Sequence, residues 1–325
     1  MGKVLSAGYA ELWEGFLAWI QNRVTPQGYD TIKKNVYYLL KWFEEEDIIP
    51  HEARIRDVSQ YKNTLSLNIT NAGKPLSAGT VHNRLKAGRT LFKYLVATEK
   101  IETNPFMEIK PPRHGEHFSR NILSEVQMGC LLENLKKFDE EDTQRGRLGK
   151  YRLHVMAEFL YSTGLRIAEA ASLEPKNIDI KGRLVYVAEG KGKKSRLAFM
   201  TGYASEVMKL YLERGRQAVF GPYGRLHGGT VFGAHPQRVM AVVNTGLKEA
   251  CRKLELPEIS SHAFRYSLGT HLLKSGCDMR YIQVILGHEC LNTTQVYTRV
   301  DKDDIKDSLD RFHPRRWGKS CHEVS

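Results

Sequence analysis

The sequence predicts a mainly α-helical chain in two domains, with a small antiparallel β-sheet confined to the C-terminal one. Three observations lead there. Apolar stripes of helical period recur through the first hundred residues and again after Thr201. An aperiodic, proline-containing stretch, NPFMEIKPPRHGEHFSR (Asn104–Arg120), separates them. A single alternating stretch, GRLVYVAEGKGKKSRLAFM, reads as two strands around the turn signal Gly190-Lys191-Gly192. At 325 residues the chain is long enough for two separate cores.

In the first domain, Leu12, Phe16, Leu17 and Ile20 share one face of a helix. Thr25-Pro26 starts the next, which carries Ile32, Val36, Leu39, Leu40 and Phe43. A shorter helix spans Val58 to Leu67. A fourth begins after Ser77, with Val81, Leu85, Leu91, Phe92 and Leu95 on its apolar side. Its other side holds Arg84, Lys86, Arg89 and Lys93, a cationic face suited to a phosphate backbone. The domain runs over 1–113 and a linker over 114–121.

The second domain, 122–325, opens with Ser124 capping a helix that reaches about Lys137. Asp139 to Lys150 reads as an exposed polar loop. The helix of YRLHVMAEFLYSTG stops at Gly164, and a short one starts near Arg166. After the hairpin, helices are expected over 203–219, 236–254, 262–275, 279–286, 292–299 and 302–311.

Composition narrows the function. Lys plus Arg number 49 against 37 Asp plus Glu, a formal charge of +12, which points to an anionic partner with nucleic acid first. The five cysteines are widely spaced with no CxxC, as expected of reduced thiols in the cytoplasm. No stretch approaches the ~20 apolar residues of a membrane span, and no secretory signal opens the chain. The spacing of His271, Cys277, His288 and Cys290 fits no tetrahedral zinc motif, so neither metal nor other cofactor is expected.

Six residues carry candidate chemistry. Arg166 opens a short helix, and Lys191 lies at the hairpin tip. His262 and Arg265 are one helical turn apart, so both face one way. His288 follows a helix end at Gly287, and Tyr297 lies nine residues further on. Asn292 and Gln295 form a capping-box-like pair that would fix the turn bearing Tyr297. Each alone has an ordinary reading: a surface arginine, a solvated turn lysine, a structural histidine, a core tyrosine. Together they suit phosphodiester transfer. Two guanidinium forks clamp non-bridging oxygens, a base activates a tyrosine whose free pKa is about 10, and a lysine protonates the leaving oxygen.

These motifs, in this order, resemble the tyrosine recombinase family of phage integrases, of the simpler Xer-like or transposon and phage type. The family pattern of Arg, Lys, His-x-x-Arg, His or Trp, and Tyr matches Arg166, Lys191, His262, Arg265, His288 and Tyr297. Glu169 matches a family acidic residue that supports the site. Lys193 and Lys194 crowd Lys191, which leaves the identity of the proton-donating lysine open; both are also candidate DNA contacts. Tyr266 stands where the family often has His, and Glu289-Cys290 follows His288 where small polar residues are commoner.

The resemblance implies a C-shaped two-domain clamp on double-stranded DNA, made of a helical core-binding domain and a catalytic domain. It implies site-specific recombination through a 3′-phosphotyrosyl intermediate and a Holliday junction, without ATP or metal. It further implies a homotetramer on paired sites, with accessory DNA-bending or partner recombinase proteins, in the cytoplasm at the nucleoid. The segment at 301–316 resembles a C-terminal helix that docks on a neighbouring protomer. A type IB topoisomerase-like relaxing enzyme and a non-catalytic DNA-binding accessory protein are the alternatives, and the docking helix and the complete residue set argue against them.

Overall fold

The computed structural model describes residues 5–68, 75–110, 122–187, 195–221, 229–233, 235–287 and 301–315. The chain divides into two compact units, Met1–Phe118 and Ser119–Ser325.

Four helices form the first unit: α1 (Ala7–Ile20), α2 (Pro26–Glu45), α3 (Ile55–Leu67) and α4 (Ala78–Ala97). Local chemistry sets their starts. Thr25 Oγ1 accepts from Gly28 N at 3.2 Å with Pro26 in the first turn, and Ser77 Oγ accepts from Thr80 N at 3.1 Å. Asp57 accepts the Arg54 N–H at 2.7 Å, which starts α3 three residues earlier than the apolar pattern indicates. The expected stripes meet in one core, with Phe16, Ile20, Val36, Phe43, Val58, Leu91 and Phe92 fully buried.

The stretch expected to be linker from Asn104 onwards belongs in part to this core. Phe106 is fully buried against Phe92, at 5.0 Å between ring centroids, and lies so close to Gly88 that a side chain there would collide with it. Arg89 donates from Nε to Phe106 O at 3.0 Å and from Nη2 to Ile109 O at 2.6 Å, while Asn104 Nδ2 donates to Arg89 O at 3.0 Å. A single anchoring aromatic has no period, so pattern reading passes over it. Residues 111–121, with the whole of the linker expected over 114–121, lie outside the described residues.

The second unit contains α5 (Glu125–Asn134), α6 (Gln144–Thr163), α7 (Ile167–Ala171), β1 (Ile178–Asp179), β2 (Leu184–Val187), β3 (Arg196–Phe199), α8 (Gly202–Leu210), α9 (Arg216–Phe220), α10 (Pro236–Lys253), α11 (His262–Lys274), α12 (Met279–Leu286) and α13 (Lys302–Phe312). A π-helical turn, Tyr211–Gly215, joins α8 to α9, so 202–220 is continuous helix as expected. The sheet is antiparallel in the order β1-β2-β3, with Val185 opposite both Ile178 and Ala198. Two strands were expected; the third, β1, has only two residues, too few to show an alternation.

α6 is the central helix, and every residue from His154 to Thr163 is buried. It begins seven residues before the YRLHV motif, inside the expected loop. Thr143 Oγ1 caps Gly146 N at 3.2 Å, and Lys150 in the second turn pairs with Asp139 at 2.7 Å and Asp142 at 2.5 Å. Gly146 and Gly149 lower the helical signal there.

α13 packs on its own unit, with Ile305 and Leu309 buried in the main core and Asp310 receiving Arg183 Nη1 at 2.8 Å. Beyond it, His313 Nε2 meets Tyr161 O at 3.2 Å. Arg315 is sunk between Glu158 and Glu133, donating from Nη1 to Glu133 Oε1 at 2.6 Å and from Nη2 to Glu158 Oε1. His271 bridges Tyr161 Oη at 2.6 Å and Leu123 O at 2.9 Å in the core.

Candidate active site

The site is built around the chain reversal at Gly164. This glycine ends α6 with φ +62°, and a Cβ on it would lie 2.9 Å from Leu286 Cδ2 and 3.0 Å from Leu268 Cδ2. Both the backbone angle and the approach of α11 and α12 therefore require glycine. Its carbonyl accepts from Arg265 Nη1 at 2.7 Å, which fixes a buried guanidinium beside the turn. Two residues later Arg166 caps α7 with its side chain half-exposed.

Glu169 braces Arg166. Its Oε2 accepts the Arg166 backbone N–H at 2.8 Å, and its Oε1 accepts Arg166 Nη1 at 3.0 Å. The same Oε2 accepts Arg196 Nη2 from β3, also at 2.8 Å. Burial pushes the Glu169 carboxyl up, but Arg196, the Arg166 amide and the Arg166 guanidinium outweigh it, so its pKa falls below the ordinary value. Burial brings the Arg265 pKa down to about 10, helped by the positive charges of Arg166 and Arg196. Two guanidiniums thus bond one carboxylate and a third lies within electrostatic reach of it, an excess of positive charge.

His262 is the first residue of α11 and is exposed, one turn before Arg265. Asn244 Oδ1 on α10 accepts the N–H of the preceding Ser261 at 2.8 Å, which holds that end of α11 in place. The structure brings together Arg166, Glu169 and Arg265, with His262 on the same helix as Arg265. Lys191, Lys193, Lys194, His288 and Tyr297 lie outside the described residues, as do Asn292 and Gln295. Arg196 escaped the sequence reading. It ends the basic run KKSR, where a solvated turn charge is the default reading. The available signal was its place at the start of an apolar strand, paired with Val187.

On α4 of the first unit, Lys86 and Lys93 are exposed. Arg84 lies over the Tyr38 ring at 4.6 Å, and Arg89 spends two nitrogens on the backbone carbonyls of Phe106 and Ile109. Among the described residues no group of three His, Cys, Asp or Glu side chains is placed to hold a metal, and no helix is long and apolar enough to cross a membrane.

A helical unit with exposed lysines, followed by a unit that gathers three arginines beside one carboxylate, suits a protein that handles phosphate groups. Known proteins place it more narrowly. Residues 123–304 match the model of the phage integrase family. Tyrosine recombinase XerD of Chlorobaculum tepidum is 32% identical over 281 residues, covering 85% of this chain and 86% of its own length. Tyrosine recombinase XerC 2 of Ralstonia nicotianae is 29% identical over 306 residues, covering 90% and 83%. The crystal structure of XerH recombinase bound to its difH substrate before cleavage aligns with a TM-score of 0.64 over 92% of this chain and 96% of that one, at 16% identity, a likeness of fold. The chain belongs to the phage integrase family and is a tyrosine site-specific recombinase, with DNA as its partner.

Proposed function

We propose that this recombinase cuts and rejoins duplex DNA with Tyr297 as nucleophile. The Tyr297 oxygen attacks the scissile phosphorus as the bond to the 5′-oxygen breaks, leaving a 3′-phosphotyrosyl link and a free 5′-hydroxyl. His262 takes the phenolic proton, and Lys191, with Lys193 and Lys194 as the neighbouring alternatives, gives a proton to the departing 5′-oxygen. Arg166 and Arg265 hold the non-bridging oxygens, and His288 adds a hydrogen bond. The phosphoester bond is conserved in the link, so a 5′-hydroxyl from a second duplex reverses the step without ATP and yields a Holliday junction.

Four copies on paired sites, helped by accessory DNA-bending or partner recombinase proteins, complete the exchange. Arg84, Lys86 and Lys93 would contact the DNA backbone from the first unit, and Lys193 and Lys194 from the second, whereas Arg89, also expected there, is committed to the carbonyls of Phe106 and Ile109. The observation that carries the reading is the Arg265–Gly164 and Arg166–Glu169 geometry, which presets two arginines at one turn.

The test is covalent capture on nicked duplexes taken from DNA flanking the gene, resolved on denaturing gels beside Tyr297→Phe. A denaturant-resistant adduct in the parent alone supports the reading. An adduct that persists in Tyr297→Phe, or its absence from the parent on a synthetic Holliday junction as well, refutes it.

A further inference from the structure

The geometry points to Arg196 as a positioning residue for the reaction: it draws off part of the Glu169 charge and thereby leaves Arg166 free to act on the phosphate. This rests on the strand-transfer reading above. Three features of the structure support it.

First, the Glu169 carboxylate is shared. Its Oε2 serves Arg196 Nη2 and the Arg166 backbone N–H, both at 2.8 Å, while Oε1 holds the Arg166 side chain at 3.0 Å. With Arg196 removed, the Arg166 side chain and backbone amide would be the partners left among the described residues for a carboxylate whose side chain is 12% exposed. The full attraction would fall on the Arg166 guanidinium and turn it toward the protein.

Second, charge is matched to the reaction. Arg166, Arg196 and Arg265 against Glu169 leave two positive charges in excess. The pentavalent state of a phosphodiester carries two negative charges. Removing Arg196 halves that surplus without touching a group that contacts the phosphate.

Third, Arg196 is more than the partner of one carboxylate. Its side chain is 8% exposed, and its Nε and Nη1 are buried with no hydrogen-bond partner among the described residues. Unsatisfied buried donors are rare in folded proteins, and a catalytic role is one of the few reasons to keep them. Nη1 would stand 2.7 Å from a Cβ on Gly287, so the guanidinium closely approaches the residue that ends α12 in the left-handed conformation and directly precedes His288 in sequence. Arg196 therefore links the brace of Arg166 to the end of α12.

The experiment is a cycle of Arg196→Met, Arg196→Lys, Glu169→Gln and the Arg196→Met/Glu169→Gln pair. Each variant is read for the rate of Tyr297-dependent adduct formation at saturating protein, for affinity toward the same nicked duplex, and for melting temperature. Arg196→Met is expected to slow the adduct step about 10²-fold, the scale of a small misplacement of a reacting group. Its DNA affinity should stay within about threefold, because phosphate contacts elsewhere set binding. Arg196→Lys, which keeps the charge and loses the fork, should recover part of the rate. The pair should be no slower than Arg196→Met alone, because the carboxylate that Arg196 restrains has lost its charge.

An Arg196→Met rate within threefold of the parent overturns the inference. So does a pair whose loss is the product of the two single losses, or a loss of binding equal to the loss of rate. If Arg196→Met melts below the assay temperature, Arg196→Lys with Glu169→Gln gives the same comparison. A parent that forms no Tyr297-dependent adduct refutes the strand-transfer reading and this inference with it, whereas an active parent beside an unaffected Arg196→Met refutes this inference alone.

Discussion

Two glycine-to-alanine changes in the segment of α6 should move stability in opposite directions, and only one should touch the site. At Gly164 the backbone has φ +62°, where an L side chain costs about 1–2 kcal/mol. The added Cβ would sit 2.9 Å from Leu286 Cδ2 and 3.0 Å from Leu268 Cδ2, and both leucines are buried. Relieving such contacts costs about 1–3 kcal/mol more. Together these give a destabilisation of about 2–5 kcal/mol. In a unit of this size each kcal/mol shifts the melting temperature by roughly 2–4 °C, so Gly164→Ala should melt about 5–15 °C below the parent. At Gly149, inside the same helix, a Cβ would meet nothing within 4 Å. There the change removes unfolded-state freedom and should raise the melting temperature by about 1–4 °C. The site adds a second readout. Gly164 O holds Arg265 Nη1 at 2.7 Å, so displacing the turn moves a phosphate clamp. Adduct formation well below either melting point should fall about tenfold or more in Gly164→Ala and stay unchanged in Gly149→Ala. Circular dichroism melts and covalent capture at 20 °C give the two measurements. A Gly164→Ala protein melting within about 2 °C of the parent, or a Gly149→Ala protein losing as much as Gly164→Ala, would refute the packing argument.

Other residues separate stability from DNA binding and from pH response. Arg89→Met removes two charge-assisted bonds to backbone carbonyls and should destabilise the first unit by about 2–4 kcal/mol, read from the fluorescence of Trp13, Trp19 and Trp42 during urea unfolding. Lys86→Ala and Lys93→Ala, both at exposed positions, should leave that unfolding unchanged and each lower the salt dependence of DNA binding by about one counterion; an unchanged slope in both would remove α4 from the interface. Arg315→Met leaves Glu158, 2% exposed, without its partner and should cost about 3–5 kcal/mol, most of it recovered by adding Glu158→Leu; a pair as unstable as the single change would refute the account. Burial, reinforced by the charges of Lys136 and Arg315, brings the His154 pKa down to about 4. The unfolded chain binds that proton near pH 6.5 and the folded one does not, so stability is present above pH 6.5 and declines as pH falls toward 4. His154→Gln should remove roughly 1.5 kcal/mol of the decline between pH 6.5 and 5, measured by urea unfolding at each pH.

The helical architecture was legible because most of its elements carry an apolar stripe and a side-chain cap. Thr25, Ser77, Ser124 and Gly164 stand at helix ends where the sequence reading put them, and Phe16, Val36, Val58 and Leu91 are fully buried where their period put them. The misreadings share a cause. β1, the first turns of α6 and the Phe106 anchor each depend on long-range contacts or on two or three residues, and periodicity needs more than that to register. At the site, Arg265 was legible beside His262 because helix spacing fixes which side chains share a turn, Arg166 because it opens a helix just after Gly164, and Glu169 through the family resemblance. Arg196 was not, because its role comes from a strand meeting a helix cap 27 residues away in sequence.

The same logic bears on α13. The family resemblance implies that it docks on another protomer, yet Ile305 and Leu309 are 1% and 0% exposed within their own unit. Withdrawing them would forfeit about 1.5–3 kcal/mol each. In the tetramer proposed above, exchange between identical protomers would restore that loss in full, since each neighbour would offer the slot that its own helix has vacated. The Asp310–Arg183 pair is restored in the same way. Arg315 behaves differently. It lies past the helix, 4% exposed between Glu158 and Glu133. Lifting it leaves a buried carboxylate unpaired until a replacement arrives, which places the barrier at the anchor and not at the helix. If the proposed tetramer exchanges α13, that exchange should therefore be slow in the parent and fast in Arg315→Met/Glu158→Leu, where no buried charge is stranded. Mixing two differently sized fusions of the protein and following mixed assemblies over time would show it, and equal rates in the two proteins would locate the barrier in the helix instead.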